Sequence, residues 1–269
     1  KSVLLNVQKT KPSPEHEVAL TSQKIKIKNS ELLKSELLAI SLNNDELSLK
    51  IISAIEKGSE VNLKGKARWI LGIVTGNNEK YVSTKKRKNS EHVITGSQIS
   101  PFKVRIGSCF LIKDFERFQQ TSSIDNYRQN PKLVYRFISK DLVFAIDHTG
   151  TLCLNSANSL VPQLEGYSPE LLCGIFNSKL AQYYFHKKYD TIKVLRSHIE
   201  AFPLPPRNPA LFKKIEKIGL KKWKTTIILQ WIKQKILMEC SALRTWLRLL
   251  MQNFWSNRFV GTGLLSNYI

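Results

Sequence analysis

Acidic residues are scarce in this chain: 21 Asp and Glu face 42 Lys and Arg over 269 residues, a formal net charge of +21 at pH 7. A field of that sign attracts polyanions and speeds their encounter, which puts nucleic acid first among partner classes and an anionic membrane surface second. Long hydrophobic runs are missing as well. A bilayer span needs roughly 20 uninterrupted apolar residues, and the richest stretch, 225–250, is broken by Lys233, Lys235, Glu239, Arg244 and Arg248. The opening Lys1-Ser2-Val3-Leu4-Leu5-Asn6-Val7 is strand-length rather than a secretory signal core, so the expected compartment is the cytoplasm and no membrane partner is expected. Cysteine is rare. Cys109, Cys153, Cys173 and Cys240 are spaced by 44, 20 and 67 positions, with no C-x-x-C pair and no ligand-spaced histidine, which argues against a zinc site. Cys153 and Cys173 lie in apolar surroundings and read as small core residues. The chain begins with Lys rather than Met, and it is expected to be a piece of something longer. Its 42% hydrophobic content is enough for a buried core.

Residues 1–11 alternate briefly as a strand and break at Pro12 and Pro14. Over 31–56, Leu32, Leu33, Leu37 and Leu38, then Leu47, Leu49, Ile51, Ile52 and Ile55, fit two short amphipathic helices split at Asn43-Asn44, the second ending at Gly58. Between Trp69 and Pro162, β-branched and aromatic residues cluster in short runs separated by Gly, Asn, Asp and Pro. Strands are expected at 70–75, 105–112, 133–138, 143–147 and 151–154, with His148-Thr149-Gly150 turning between the last two. Ser168-Pro169 supplies an N-cap and a first-turn proline for a long helix reaching about Tyr189. Its stripe of Leu171, Leu172, Ile175, Phe176, Leu180, Tyr183 and Tyr184 reads as core. Phe202-Pro203-Leu204-Pro205-Pro206 reads as a rigid connector, with more helix from Pro209. The expected fold class is therefore α+β: a mostly antiparallel sheet with a long helix and a helical C-terminal region.

Three stretches carry a family resemblance. The first is Leu71-Gly72-Ile73-Val74-Thr75-Gly76-Asn77-Asn78, followed by Tyr81-Val82. The second is Leu133-Val134-Tyr135-Arg136-Phe137-Ile138, running on through Leu154-Asn155-Ser156-Ala157-Asn158-Ser159-Leu160-Val161-Pro162. The third joins Tyr167-Ser168-Pro169-Glu170-Leu171-Leu172, Phe176-Asn177-Ser178-Lys179-Leu180, Thr191-Ile192-Lys193-Val194-Leu195-Arg196-Ser197 and Phe202-Pro203-Leu204-Pro205. In order and spacing they resemble the TaqI-like C-terminal specificity (target-recognition) domain that accompanies adenine-N6 DNA methyltransferases, including fused type IIG restriction-modification enzymes. The resemblance implies that a separate Rossmann-like domain binds S-adenosylmethionine and methylates a flipped adenine, while this module grips double-stranded DNA and reads its sequence. The first eleven residues resemble the final strand of that methyltransferase domain. The implied organisation is 1–30 as the end of the methyltransferase domain plus a linker, 31–206 as the specificity domain with N-terminal helices over 31–57, and 207–269 as a basic helical tail. No cofactor is expected in this chain. S-adenosylmethionine belongs to the parent enzyme, and the missing N-terminal methyltransferase domain is the expected protein partner.

The residues themselves suit contact with DNA and also suit blander roles. Thr75, Asn77 and Asn78 lie in a Gly-containing loop that can approach phosphates or base edges, or can simply be a turn that needs Gly76. Asn155, Ser156 and Asn158 offer paired donors and acceptors for adenine or thymine edges, and they are also ordinary turn-formers. Arg136 alternates with Tyr135 and Phe137, so it faces away from them, toward a phosphate, a guanine or plain solvent. Lys187 and Lys188 fit the end of the long helix by dipole complementarity alone, which leaves Lys193 and Arg196 as the better DNA-contact candidates there. Lys85-Lys86-Arg87-Lys88 reads as an exposed loop adding nonspecific phosphate attraction.

Catalytic machinery is not evident. Asn130-Pro131-Lys132-Leu133 and Asn208-Pro209-Ala210-Leu211 lack the second proline and the aromatic of the Asn/Asp-Pro-Pro-Tyr/Phe motif that holds a flipped base in amino-group methyltransferases. Phe259-Val260-Gly261-Thr262-Gly263 has only six residues after it, too few for the helix and strand of a nucleotide-binding turn. Asp114 and Glu116 have no matching Glu-x-Lys downstream, and His92, His148, His186 and His198 stand apart from any nucleophile pattern. From 213 to 269 there are 11 Lys and Arg, 2 Asp and Glu, and four of the five tryptophans, a departure from the acidic helical ending of the family. That tail fits an amphipathic helix through Trp223, Ile227, Trp231 and Lys235, or equally the out-of-frame end of a gene. A basic interaction subunit that docks a partner enzyme, or binds nucleic acid without sequence preference, is the rival to sequence recognition.

Overall fold

The computed structural model describes residues 11, 13, 15–20, 25–28, 46–105, 107–189, 191–210 and 212. The strand expected at the start of the chain, the first of the two early helices and the tail beyond 212 lie outside the described residues. Glu17–Leu20 (β1) and Ile25–Lys28 (β2) pair as an antiparallel hairpin. The second early helix, α1, spans Glu46–Lys57. Ile51, Ile52 and Ile55 are buried along one face of it, and it stops where Gly58 donates its N–H to the Ala54 carbonyl.

Two four-stranded sheets follow. The first contains Ala67–Ile70 (β3), Lys132–Arg136 (β9), Phe144–Asp147 (β10) and Ala157–Pro162 (β12), in the order β10-β9-β12-β3 with every pair antiparallel. The second contains Val82–Ser83 (β4), Ser90–Ile94 (β5), Phe110–Ile112 (β8) and Leu152–Cys153 (β11), in the order β11-β5-β8-β4, with only β11 and β5 parallel. Ile99–Ser100 (β6) and Lys103–Val104 (β7) form a small hairpin. The helices after α1 are Asn78–Tyr81 (α2), Ile124–Tyr127 (α3), Pro169–Phe176 (α4), Lys179–Lys188 (α5) and Arg196–Glu200 (α6).

Strand alternation sorts the core. Leu133 and Tyr135 of β9 face the helices and share a core with Phe144, Leu172, Phe176, Phe185 and Ile199. Val134, between them, faces the other way and packs with Ile94, Ile99, Ala145, Cys153 and Ala157. The second sheet buries Val93 and Leu111 against Ile73, Tyr81, Phe118 and Tyr127. The result is three layers, helices on the first sheet and the first sheet on the second, an α+β architecture with mostly antiparallel pairing. Each large apolar side chain so buried contributes about 1.5–3 kcal/mol before chain entropy is subtracted.

The expected long helix is two helices. Ser168 accepts from the N–H of Leu171 and Ser178 from that of Ala181, so each helix has its own N-cap. Asn177 turns into the sheet between them: its Oδ1 accepts from the Phe144 N–H at 3.0 Å, and its Nδ2 donates to the Phe144 carbonyl at 2.8 Å. That docking of α4 onto β10 takes precedence over helical continuity. The apolar stripe keeps its core role across the break.

Two further differences concern strands. The expected strand over 70–75 ends at Ile70, and Ile73 and Val74 make single bridges to Leu154 and Gln120. The expected strand over 105–112 is regular only at 110–112. The turn at 148–150 does not close a hairpin, because β10 belongs to the first sheet and β11 to the second. A buried ion pair secures that crossing. Lys132 and Asp147 are register partners with Nζ to Oδ2 at 3.2 Å, and neither is more than 3% exposed. Lys132 also donates to the Tyr127 and Thr151 carbonyls. Asp147 accepts from the N–H groups of Thr149 and Thr151, so the pair is compensated as burial demands.

Candidate nucleic-acid interface

The sequence-derived candidates lie on four stretches far apart in the chain, and backbone pairing sets these side by side. The Ile73 N–H donates to the Cys153 carbonyl at 2.8 Å, and the Asn155 N–H returns to the Ile73 carbonyl at 3.0 Å. This joins the 71–78 loop to the 154–157 turn. On the other flank of that turn, the Phe137 N–H donates to the Ser156 carbonyl at 3.0 Å, bringing in the end of β9. Ile138 bridges Lys193, the Val194 N–H donates to Phe137, and the Ser139 N–H donates to Ile192, so the segment before α6 joins the same edge.

Two glycines clamp the central turn. A Cβ on Gly72 would lie 2.2 Å from the Leu154 carbonyl oxygen and 2.4 Å from that of Ala157, and one on Gly96 would lie 2.5 Å from the Ser156 oxygen. Only glycine lets these backbones approach so closely. The Gly72 N–H donates to Asn158 Oδ1 at 2.9 Å and the Gly96 N–H to Ser156 Oγ at 3.0 Å. Asn158 is therefore turned inward, 6% exposed, holding the loop in place. Ser156 is likewise a clamp residue, while Asn155 stands exposed at the tip of the turn.

The remaining candidates divide by what they touch. Thr75 is buried, and its hydroxyl donates to Asn78 Oδ1 at 2.6 Å while accepting from the Asn77 N–H. Asn77 caps α2 by accepting from the Lys80 N–H. The loop is shaped by these bonds, with Asn77 and Asn78 exposed on it. Arg136 donates Nε to the Ile99 carbonyl at 2.7 Å, tying the β6–β7 hairpin to β9. Lys193 is exposed beside the exposed Ile138 and Ile192, a basic and apolar mixture suited to a phosphate and a thymine methyl. Arg196 is more committed: it pairs with Glu200 at 2.8 Å and lies 5.5 Å over the Trp69 ring. Lys188 pairs with Glu56 at 2.8 Å.

Behind this edge, His198 stacks on Tyr189 at 4.2 Å, and its Nδ1 accepts from the Leu195 N–H. Burial lowers its pKa, partly offset by a backbone hydrogen bond at Lys193. Cys153 lies beneath the 154–157 turn, its thiol pushed up to about 12 by burial, so it is a packing group rather than a nucleophile. Among the described residues no His, Cys, Asp and Glu cluster could hold a metal, and no helix is long and apolar enough to cross a membrane. Sequence reasoning missed the 95–98 turn, which lies against Ser156 on the same edge. The signal available was Thr95-Gly96-Ser97-Gln98, where the Thr95 N–H donates to Gln98 Oε1 at 2.8 Å.

The family model for the TaqI-like C-terminal specificity domain matches residues 91–204. The second motif stretch lies inside that span, the third lies inside it up to Leu204, and the first precedes it but is hydrogen-bonded to it through Ile73. Among solved structures, the type IIG restriction endonuclease BpuSI is similar at 10% identity and TM-score 0.47, over 70% of this chain and 30% of that one. An HsdS subunit from Thermoanaerobacter tengcongensis is similar at 12% identity and TM-score 0.38, over 79% and 50% respectively. A chain of a type I R-M system complex is similar at 11% identity and TM-score 0.33, over 76% and 49%. The chain thus spans half or less of each of these proteins. No curated protein matches it significantly. Between residues 91 and 204 the chain is thus similar to the TaqI-like C-terminal specificity domain.

Proposed function

We propose that this chain recognises a short sequence in double-stranded DNA on behalf of an adenine-N6 methyltransferase of a restriction-modification system. The observation that carries the reading is the edge where 71–78, 137–139, 154–157 and 191–196 converge, with exposed Asn155, Asn77, Asn78 and Lys193 on clamped backbone. Rigid presentation is what base readout requires, since a hydrogen bond to a base edge discriminates only if its donor cannot shift to suit another base. The family match and the net charge of +21 support the same reading. Methylation and S-adenosylmethionine binding belong to the catalytic partner, which the Asn-Pro motifs of this chain do not supply.

The test is selection of bound duplexes from a random pool, followed by supply of an adenine methyltransferase domain in trans or by fusion. Enrichment of one short motif, and N6-methyladenine appearing within it, are the expected outcomes. Enrichment without methylation would remove the adenine-N6 assignment and leave recognition standing. A pool that stays random would favour the rival, a basic subunit without sequence preference.

A further inference from the structure

The segment that brings Lys193 to the edge has few anchors of its own. Residues 191–195 lie between the end of α5 and the start of α6, and among them only Val194 is buried. Two backbone bonds tie the segment to the end of β9: the Val194 N–H donates to the Phe137 carbonyl at 2.8 Å, and the Ile192 carbonyl accepts from the Ser139 N–H at 2.9 Å. Thr191 closes a local turn, its hydroxyl accepting from the Lys193 N–H. Leu195 is held by a side chain instead. Its N–H donates to Nδ1 of His198 at 3.3 Å.

That bond exists in one protonation state of the ring. Nδ1 accepts only while it carries no proton, so the bond requires the neutral Nε2–H tautomer. A proton on Nδ1 removes the acceptor and sets a second donor against the Leu195 N–H. The ring is confined where this conflict arises, stacked on Tyr189 at 4.2 Å and edge-on to Phe185 at 5.8 Å, with 9% of the residue exposed. Burial disfavours the imidazolium there, and the Lys193 backbone offsets part of that effect. The charged neighbours are directed elsewhere. On α6, Arg196 pairs with Glu200; on α5, His186 bonds to Asp141 and Lys188 to Glu56, each at 2.8 Å. Lys187, two positions from both Phe185 and Tyr189, falls away from the side those rings share. Lys193 is exposed on the segment itself, and Asp190 lies outside the described residues.

We propose that 191–195 is a strap latched by the neutral ring of His198, and that protonation of this ring releases the strap from the end of β9. The latch is a property of the fold. What it regulates, the placement of Lys193 against DNA, rests on the recognition reading above. The direction follows from the burial: the ring ordinarily titrates near 6.5, its folded value lies below that, and the latch is complete above the ordinary value and lost as pH falls through the folded one. Each pH unit separating the two values multiplies the open population in acid by about ten.

The experiment follows the full chain by NMR over a pH series through and below about 6.5, reading each histidine ring and the exchange protection of individual amides. Corrected for intrinsic exchange, the Ser139, Val194 and Leu195 amides should lose protection in step with protonation of the His198 ring. The Ile73 and Asn155 amides at the clamp should keep theirs. His198→Asn supplies an Oδ1 that accepts the same N–H without titrating, and it should hold strap protection level across the series. Strap amides that stay protected while the ring protonates, a ring that titrates above about 6.5, or clamp amides that open together with the strap would overturn the inference. A decline in His198→Asn equal to that of the wild type would do the same; if the variant does not fold, the wild-type titration decides alone. A strap that opens as expected in a chain that enriches no duplex would leave the latch standing and remove the recognition reading.

Discussion

At the scale of single residues, the least conspicuous group in the sequence is one of the costliest to alter. Lys132 is fully buried, and its ammonium serves Asp147 and two backbone carbonyls at the point where the chain leaves one sheet for the other. Lys132→Met removes the positive partner and strands a buried carboxylate, a loss of about 3–5 kcal/mol; urea unfolding should show it as a lower midpoint with an unchanged slope. His198 gives a pH prediction. Its folded pKa is depressed, so the neutral ring is favoured in the fold, and its contribution is complete above the unfolded value of about 6.5 and lost as pH falls through the folded value. Stability should decline as pH falls below about 6.5, and His198→Asn should flatten part of that decline. An equal decline in the variant would assign it to other groups.

At the scale of elements, legibility followed the locality of the forces. The end of α1 at Gly58 and the start of α4 at Ser168-Pro169 are set by capping chemistry within one turn, and both were readable. β9 and β10 announce themselves by dense β-branched and aromatic residues. β12 did not, because Ala157-Asn158-Ser159 is a poor strand by propensity. It occupies a central position because Asn158 holds the distant Gly72 N–H and because its backbone pairs on both sides. The break between α4 and α5 was hidden for the same reason, since Asn177 answers to Phe144, 33 positions away. Of the candidate site, the stretches were visible but their division into clamp residues (Thr75, Ser156, Asn158) and exposed ones (Asn77, Asn78, Asn155, Lys193) was not. The clamp has a direct test. Gly72→Ala places a Cβ against two backbone oxygens, which should cost about 1–3 kcal/mol and abolish site preference while phosphate-driven binding survives. Retained preference in that variant would show that the clamp is dispensable.

At the scale of the whole molecule, two properties have to be kept apart. A net charge of +21 favours nonspecific attraction to nucleic acid at low salt whatever the fold does. Under the proposed function, specificity requires the clamped edge, and it is carried by hydrogen bonds and contacts that salt weakens far less. The central claim is therefore tested by the affinity of the full chain for its selected duplex and for a scrambled duplex of equal length, measured across a salt series. Both affinities should fall steeply and in parallel, with the selected duplex favoured by about a thousandfold or more throughout. Equal affinity for the two duplexes at every salt concentration would contradict it.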